Sequence, residues 1–264
     1  MVYFFDSHAH YDQKRFDDDR EAVIASLRPN GVGAVLNSAS DIASSEAALL
    51  LAQKHRFFRA SAGVHPHSAA ELDDNALLKI EQLCREPEVV AIGEIGLDYY
   101  YNYAPKEVQQ LAFRRQLELA HELGYPVIIH SRDAAQDTFD LVKEFRPRGV
   151  VHCFSGSAEL AREYAAMGLY LGFTGAITFH NAKKPFSAAA AVPRSQLLIE
   201  TDCPYMAPVP FRGQRCDSTM LPATAAILAA AQNCDVETLA RATWDNAVNC
   251  FSLESWQPEP GFSD

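Results

Sequence analysis

The chain has no run of 18 apolar residues, no cysteine pair spaced CxxC, no internal repeat and no low-complexity segment. The missing apolar run excludes a membrane-crossing helix. The opening MVYFFDSHAH carries no basic stretch and reaches Asp6 at once, which is not the pattern of a signal peptide. Six cysteines, at positions 84, 153, 203, 216, 234 and 250, lie scattered along the chain. That spacing builds neither a disulfide ladder nor a zinc finger, so reduced thiols in a cytoplasmic protein are expected. Basic residues are also scarce, with 23 Lys and Arg against 34 Asp and Glu and a formal charge of −11. Broad adhesion to nucleic acid or to an anionic membrane is disfavoured. A narrow phosphate-binding cleft, made positive by metal ions and a few arginines, is still compatible. No obligate protein partner is indicated, because no apolar edge or helix face stands out as a dimer surface.

What is present is ordinary globular material: 264 residues, 48% hydrophobic and 22% charged, enough for one large domain spanning 1–264. Short runs rich in β-branched and aromatic residues recur at 2–5, 33–37, 57–62, 88–93, 126–130, 149–153, 169–173 and 197–201. Near-continuous apolar strands of this kind suit a parallel sheet covered on both faces. Helical patterns fill the gaps: 17–27, 42–54, 73–84, 106–123, 133–145, 158–167, 182–190, and a pair at 219–232 and 235–248. Capping residues such as Asp73 and Ser157 precede several of them, and Gly124 and Gly168 follow two others. Eight strands alternating with helices read as an α/β fold, a (β/α)8 TIM barrel, with an open doubly wound sheet as the alternative.

Six of the nine histidines then fall at the carboxyl ends of strands, where a barrel carries its active site. His8 and His10 follow the first strand, His65 and His67 the third, His130 ends the fifth and His152 the sixth. Glu94 follows the fourth strand and Asp202 the eighth. Imidazole and carboxylate donors without thiolates suit Zn²⁺, Mn²⁺ or similar borderline divalent ions. In His8-Ala9-His10 an extended backbone turns both imidazoles to one side. Glu94 ends an apolar run, so as a purely structural residue it would be an unpaired buried charge. Six donors, His8, His10, Glu94, His130, His152 and Asp202, exceed what one tetrahedral ion takes, so two ions with Glu94 between them are expected. Such a pair activates water and polarises a phosphoryl or carbonyl oxygen. Asp202 is placed to ligate and to take the proton from the attacking water.

The segments DSHAH at 6–10, GVHPH at 63–67, IGEIGLDYY at 92–100, VIIHSR at 127–132, HCFSGS at 152–157, YLGFTGAITF at 170–179, IETDCPYMAP at 199–208 and RGQR at 212–215 resemble, in order, the TatD family of metal-dependent deoxyribonucleases. That family lies within the amidohydrolase superfamily of TIM barrels, and the resemblance runs from Phe5 to Trp244-Asp245-Asn246. It implies the same six metal ligands, a place for His65 near a substrate phosphate rather than on a metal, and hydrolysis of phosphodiester bonds at DNA ends with Mg²⁺ or Mn²⁺. The chain departs from the usual pattern after Arg215. Cys216-Asp217-Ser218 stands where relatives often have Asn, an acidic residue and Pro, in a loop expected to meet substrate.

Substrate contacts are expected from His65, His67, Arg132, Arg212 and Arg215, the arginines gripping phosphate in bidentate fashion. Tyr99, Tyr100, Tyr101 and Tyr103 offer faces for stacking bases or for packing their own loop. Asp98 is placed to orient a ligand histidine from behind. The same metal site would also serve an amidohydrolase-type esterase or deacylase, for example on D-aminoacyl-tRNA. A non-catalytic metal-binding barrel is the reading from another class.

Overall fold

The computed structural model describes residues 3–101 and 103–257. Eight parallel strands lie in sequential order: β1 Phe4–Ala9, β2 Val32–Asn37, β3 Phe58–Ala62, β4 Val89–Asp98, β5 Val127–Arg132, β6 Gly149–Val151, β7 Tyr170–Phe173 and β8 Leu197–Ile199. The sheet curls until its ends meet. A parallel bridge joins Ala9 to Cys203, the His10 amide donates to the Cys203 carbonyl at 2.8 Å, and the Asp202 amide donates to the His8 carbonyl at 2.9 Å. The fold is a (β/α)8 barrel.

The surrounding helices are α1 Arg20–Leu27, α2 Ile42–Lys54, α3 Asp74–Leu83, α4 Lys106–Leu123, α5 Ala135–Phe145, α6 Ala158–Ala166, α7 Lys183–Ala191, α8 Leu221–Ala231 and α9 Val236–Cys250. Asp41 and Ser44 form a reciprocal capping box on α2, and Asp73 and Ser157 cap α3 and α6. No helix among the described residues is long and apolar enough to cross a membrane.

Strand bounds differ from the sequence reading in ways that matter for the site. Val2, the first residue of the expected opening strand, lies outside the described residues. β1 runs on through His8, and β4 runs on to Asp98, so Glu94 sits inside its strand rather than after it. The extension of β4 exists because β5 continues to pair with it, Gly96 against His130 and Asp98 against Arg132. Gly96 permits this approach, with φ at +141° and a hypothetical Cβ only 2.0 Å from the His130 carbonyl oxygen.

The barrel interior is layered. Phe5, Leu36, Val90, Ile128, Val150 and Leu198 form one apolar cluster, closed from below by Phe251 and Leu253, while their strand neighbours pack outward against the helices. Alternation along each strand then dictates the next inward layer, two residues further up. On five strands that layer is Ser7, Ser38, His130, His152 and Glu200. It is polar.

Candidate metal centre

The layer above the apolar floor converges on Glu94, which is almost fully buried. Its Oε1 lies 2.6 Å from His152 Nε2, 2.8 Å from His130 Nδ1 and 3.6 Å from His65 Nε2. Its Oε2 lies 3.4 Å from His8 Nε2 and 3.8 Å from His10 Nε2. Asp202 completes the group, its Oδ1 3.3 Å from His10 Nε2 and 3.7 Å from His8 Nε2. All six residues expected as metal donors are therefore brought together, from β1 and the residue after it, β4, β5 and the segments after β6 and β8.

Three of the four candidate ligand imidazoles keep the second nitrogen on a support. His10 Nδ1 donates to the Ser38 carbonyl at 2.8 Å, which leaves Nε2 as the lone-pair atom facing Glu94 and Asp202. His8 Nδ1 meets the Ser38 hydroxyl at 3.1 Å. His130 Nε2 reaches Asp98 Oδ2 at 3.2 Å, so Asp98 holds that ring from behind as expected. His152 Nδ1 has no hydrogen-bond partner, and Glu200 Oε1 stands 3.7 Å from it.

His65 has the opposite arrangement. Its Nδ1 accepts the His67 amide at 3.1 Å, so the neutral ring carries its proton on Nε2, the atom turned toward the site. Distance alone groups His65 with Glu94 and His130 as a possible metal holder. The tautomer instead turns an N–H, not a lone pair, toward the site. Burial pushes its pKa well down against the pull of Glu94, and neighbouring histidine charges add to that, so the ring is neutral near pH 7.

The electrostatics show a site short of positive charge. Burial acts to raise the Glu94 pKa, but the surrounding histidines, His152 foremost, and the hydrogen bond from His130 hold it well below the usual carboxylate range. Burial likewise opposes protonation of His10, yet Asp202 and Glu94 outweigh it and bring His10 up to about 9. His130 and His152 are raised for the same reason, by Asp98, Glu94 and Glu200 against burial. His8 is lowered by burial and by the His152 charge. Protons are compensating carboxylates that a divalent ion would compensate better.

The donor spacing fits that substitution. Nε2 of His8 and Nε2 of His10 are 3.1 Å apart, as are His130 Nδ1 and His152 Nε2. Two nitrogens on one tetrahedral ion, at bond lengths of roughly 2.0–2.1 Å, stand about 3.3 Å apart. Three sets of donor atoms lie mutually within 4.8 Å: His8, His10 and Glu94; His65, Glu94 and His130; His8, His152 and Glu200. Glu94 belongs to two of them.

Around the mouth, His67 is partly exposed and hydrogen-bonded to Asp98 Oδ2 at 2.9 Å. Arg132 lies over Tyr100 and Tyr101, its guanidinium carbon 4.1 and 4.8 Å from the ring centroids. Arg212 lies 4.0 Å over Phe179. Arg215 is placed differently: both terminal nitrogens donate to Asp19 at 2.7 Å, and one also to the Arg15 carbonyl. Its fork, expected to grip phosphate, is already filled by a carboxylate. In the departing loop, Ser218 donates to the buried Asp6 at 2.6 Å, and its amide donates to the Tyr11 hydroxyl at 2.9 Å. Cys216 is fully buried beside it, so those two positions pack the wall of the barrel rather than face solvent.

Sequence reasoning missed Glu200 and Ser38. Glu200 has no exposed surface, accepts the Cys153 amide at 2.5 Å, and fits only because Gly172 opposite it has no side chain, a Cβ there falling 2.2 Å from Oε2. The signal that singled out Glu94, a carboxylate ending an apolar run, applies equally to Glu200 in LLIE.

A family model described as TatD related DNase matches residues 5–252. The chain is 38% identical over 252 residues to the metal-dependent hydrolase YabD of Bacillus subtilis, covering 94% of this chain and 99% of that protein. It is 38% identical over 208 residues to the 3'-5' ssDNA/RNA exonuclease TatD of Cronobacter turicensis, covering 77% and 79%. The solved structure of YJJV, a TatD homolog from Escherichia coli K12, has a TM-score of 0.89 at 32% identity, over 94% of this chain and 98% of that one. With histidines and carboxylates gathered at the mouth of such a barrel, the chain belongs to the TatD-related DNase family of metal-dependent hydrolases.

Proposed function

We propose that the protein hydrolyses phosphodiester bonds at the ends of DNA strands, with two divalent ions (Mg²⁺, Mn²⁺ or Zn²⁺) held by His8, His10, Glu94, His130, His152 and Asp202. The observation that carries this is the convergence of five imidazoles and two carboxylates on one buried point, with Glu94 shared between two donor groups. When bound, such ions polarise the scissile phosphoryl oxygen and lower the pKa of water enough to make it a nucleophile near pH 7.

The chain's own residues supply the rest. Asp202 is the more exposed of the two carboxylates at the centre, 14% against 4% for the Glu94 side chain, so it is the group that receives the proton of the attacking water. Glu94, fully enclosed and held ionised, positions the histidines around it. His65 donates a hydrogen bond from its Nε2–H to a nonbridging phosphate oxygen. Arg132 and Arg212, which have no carboxylate partner among the described residues, take flanking phosphates.

The test is incubation of metal-loaded protein with single-stranded DNA labelled at either end. Release of mononucleotides, abolished in His152→Ala and in Asp202→Asn but kept in Arg241→Ala on the outer face of α9, is expected. No release from either end, or faster turnover of a D-aminoacyl-tRNA ester than of DNA, would overturn it.

A further inference from the structure

The barrel closes along the seam between β1 and β8, and the metal centre straddles that seam. His8 and His10 stand on the β1 side and Asp202 on the β8 side, so their separations of 3.7 and 3.3 Å depend on how the two edges are held. Two residues before His8, Asp6 is fully buried, with no lysine or arginine paired to it among the described residues. A carboxylate in that setting is costly unless donors fill its oxygens. Four donors reach it. The Thr201 amide donates to Oδ1 at 2.9 Å and the Thr201 hydroxyl to Oδ2 at 2.6 Å, both across the seam. The Ser218 hydroxyl donates to Oδ2 at 2.6 Å, and the His8 amide approaches Oδ1 at 3.4 Å.

These contacts surround the backbone of Asp202. Its φ is +58°, the left-handed region that residues with a Cβ seldom occupy, and its carboxylate meets His10 and His8 from that conformation. Three successive amides are fixed there. Asp6 holds that of Thr201, the His8 carbonyl accepts that of Asp202 at 2.9 Å, and the Thr201 hydroxyl accepts that of Cys203 at 3.2 Å. The Thr201 hydroxyl thus accepts from Cys203 while donating to Asp6, which carries the hold of Asp6 past Asp202 to the far side of the turn.

We infer that Asp6 is a positioning residue for Asp202: acting through Thr201, it holds the left-handed turn that brings the proton-accepting carboxylate to His8 and His10. The inference rests on the phosphodiesterase reading for the step that Asp202 serves, and on the geometry of the seam for the rest. A contact that merely tied the two edges together would lower stability when broken, independently of what Asp202 does. A positioning contact acts only through Asp202, so its loss and the loss of Asp202 should not add.

Removing Asp6 outright would strand its donors in the core, so the test is made at Thr201. Thr201→Val keeps the shape and deletes the hydroxyl, whereas Thr201→Ser keeps the hydroxyl and deletes the methyl. Mn²⁺ is titrated into chelator-stripped wild type, both variants, Asp202→Asn and Asp202→Asn/Thr201→Val, and the first three are reloaded for kinetics on oligo(dT). Thr201→Val should weaken Mn²⁺ binding and lower kcat, each roughly 10-fold or more, with KM within twofold of wild type. Thr201→Ser should restore both values. In the Asp202→Asn background, Thr201→Val should change Mn²⁺ affinity less than twofold. Wild-type affinity and kcat in Thr201→Val, equal losses in the serine variant, or a loss that adds in full to that of Asp202→Asn overturns the positioning role. If metal-loaded wild type cleaves no DNA, the titration decides alone. A non-additive loss of affinity then supports Asp6 and removes the phosphodiesterase, while an additive loss or none removes both.

Discussion

Glu200 offers the sharpest test of how the metal centre is held together. The perturbation is Glu200→Gln, which conserves volume in a pocket where Gly172 leaves no room for rearrangement, and which keeps an oxygen to accept the Cys153 amide. Only the charge is lost. Between full charges at the 3.7 Å separating Glu200 Oε1 from His152 Nδ1, an effective dielectric of about 20 gives roughly 4 kcal/mol. A metal-ligating imidazole is neutral and feels only part of that field. Carboxylates standing behind ligating histidines typically contribute 10- to 100-fold in metal affinity, about 1.4–2.7 kcal/mol, and that is the loss expected here. The assay is calorimetric titration of Mn²⁺ or Zn²⁺ into chelator-stripped protein, wild type and variant in parallel, with the melting temperature of the stripped proteins as control. The expected variant melts near wild type without metal and binds at least one ion 10-fold more weakly. Unchanged affinity, or a large loss of stability in the stripped protein with affinity intact, would refute the positioning role and leave Glu200 as a wall residue.

Gly172→Ala should act on the same contact from the other side, forcing a methyl against Glu200; a cost of about 1–3 kcal/mol and a melting point lower by several degrees in calorimetry are expected. His65→Ala should lower kcat/KM on oligonucleotides by about 10-fold or more while leaving metal stoichiometry intact by mass spectrometry, because the ring turns an N–H rather than a lone pair toward the site; loss of an ion would make it a ligand after all. The raised His10 gives the pH dependence its sign. A group lifted from 6.5 to about 9 on folding stabilises fully below 6.5 and loses that contribution as pH rises through 9. Chelated protein should therefore melt lower across that window, with His130 and His152 contributing in the same direction, while the gain in melting temperature on adding Mn²⁺ should grow, since metal needs the deprotonated nitrogens. A flat or rising curve for the chelated protein would contradict this. Arg215→Ala should leave KM on oligonucleotides within twofold of wild type, since its fork is occupied by Asp19; a large rise in KM would return it to the substrate path.

The eight strands, and the six candidate donors that the fold brings together, were readable in sequence because each rests on a local signal: a β-branched run, an HxH, or a carboxylate ending an apolar segment. Two helices were read to the residue: α2, which a capping box opens, and α4, which the left-handed Gly124 closes. What was not readable depends on register between distant strands. The sequence of β4 alone gives no reason to carry the strand past Gly93; the reason is the pairing of Gly96 and Asp98 with His130 and Arg132. Arg215 carried a local signal for phosphate, and its commitment to Asp19, almost 200 residues away, lay outside any local pattern. Ser38 and Glu200 fall between these cases. Once Phe5, Leu36, Ile128, Val150 and Leu198 are known to form one layer, the residues two further along must form the next. Ser7, Ser38, His130, His152 and Glu200 then belong together by alternation alone. The histidines were recognised as chemistry because of their type. Ser38 went unrecognised because its hold on the second nitrogens of His8 and His10 exists only between layers, and Glu200 because its place 3.7 Å behind His152 does too. In a barrel of this kind the polar layer directly above the apolar floor is the place to search for residues that set the tautomer of the ligands, and strand register, not residue type, is what identifies them.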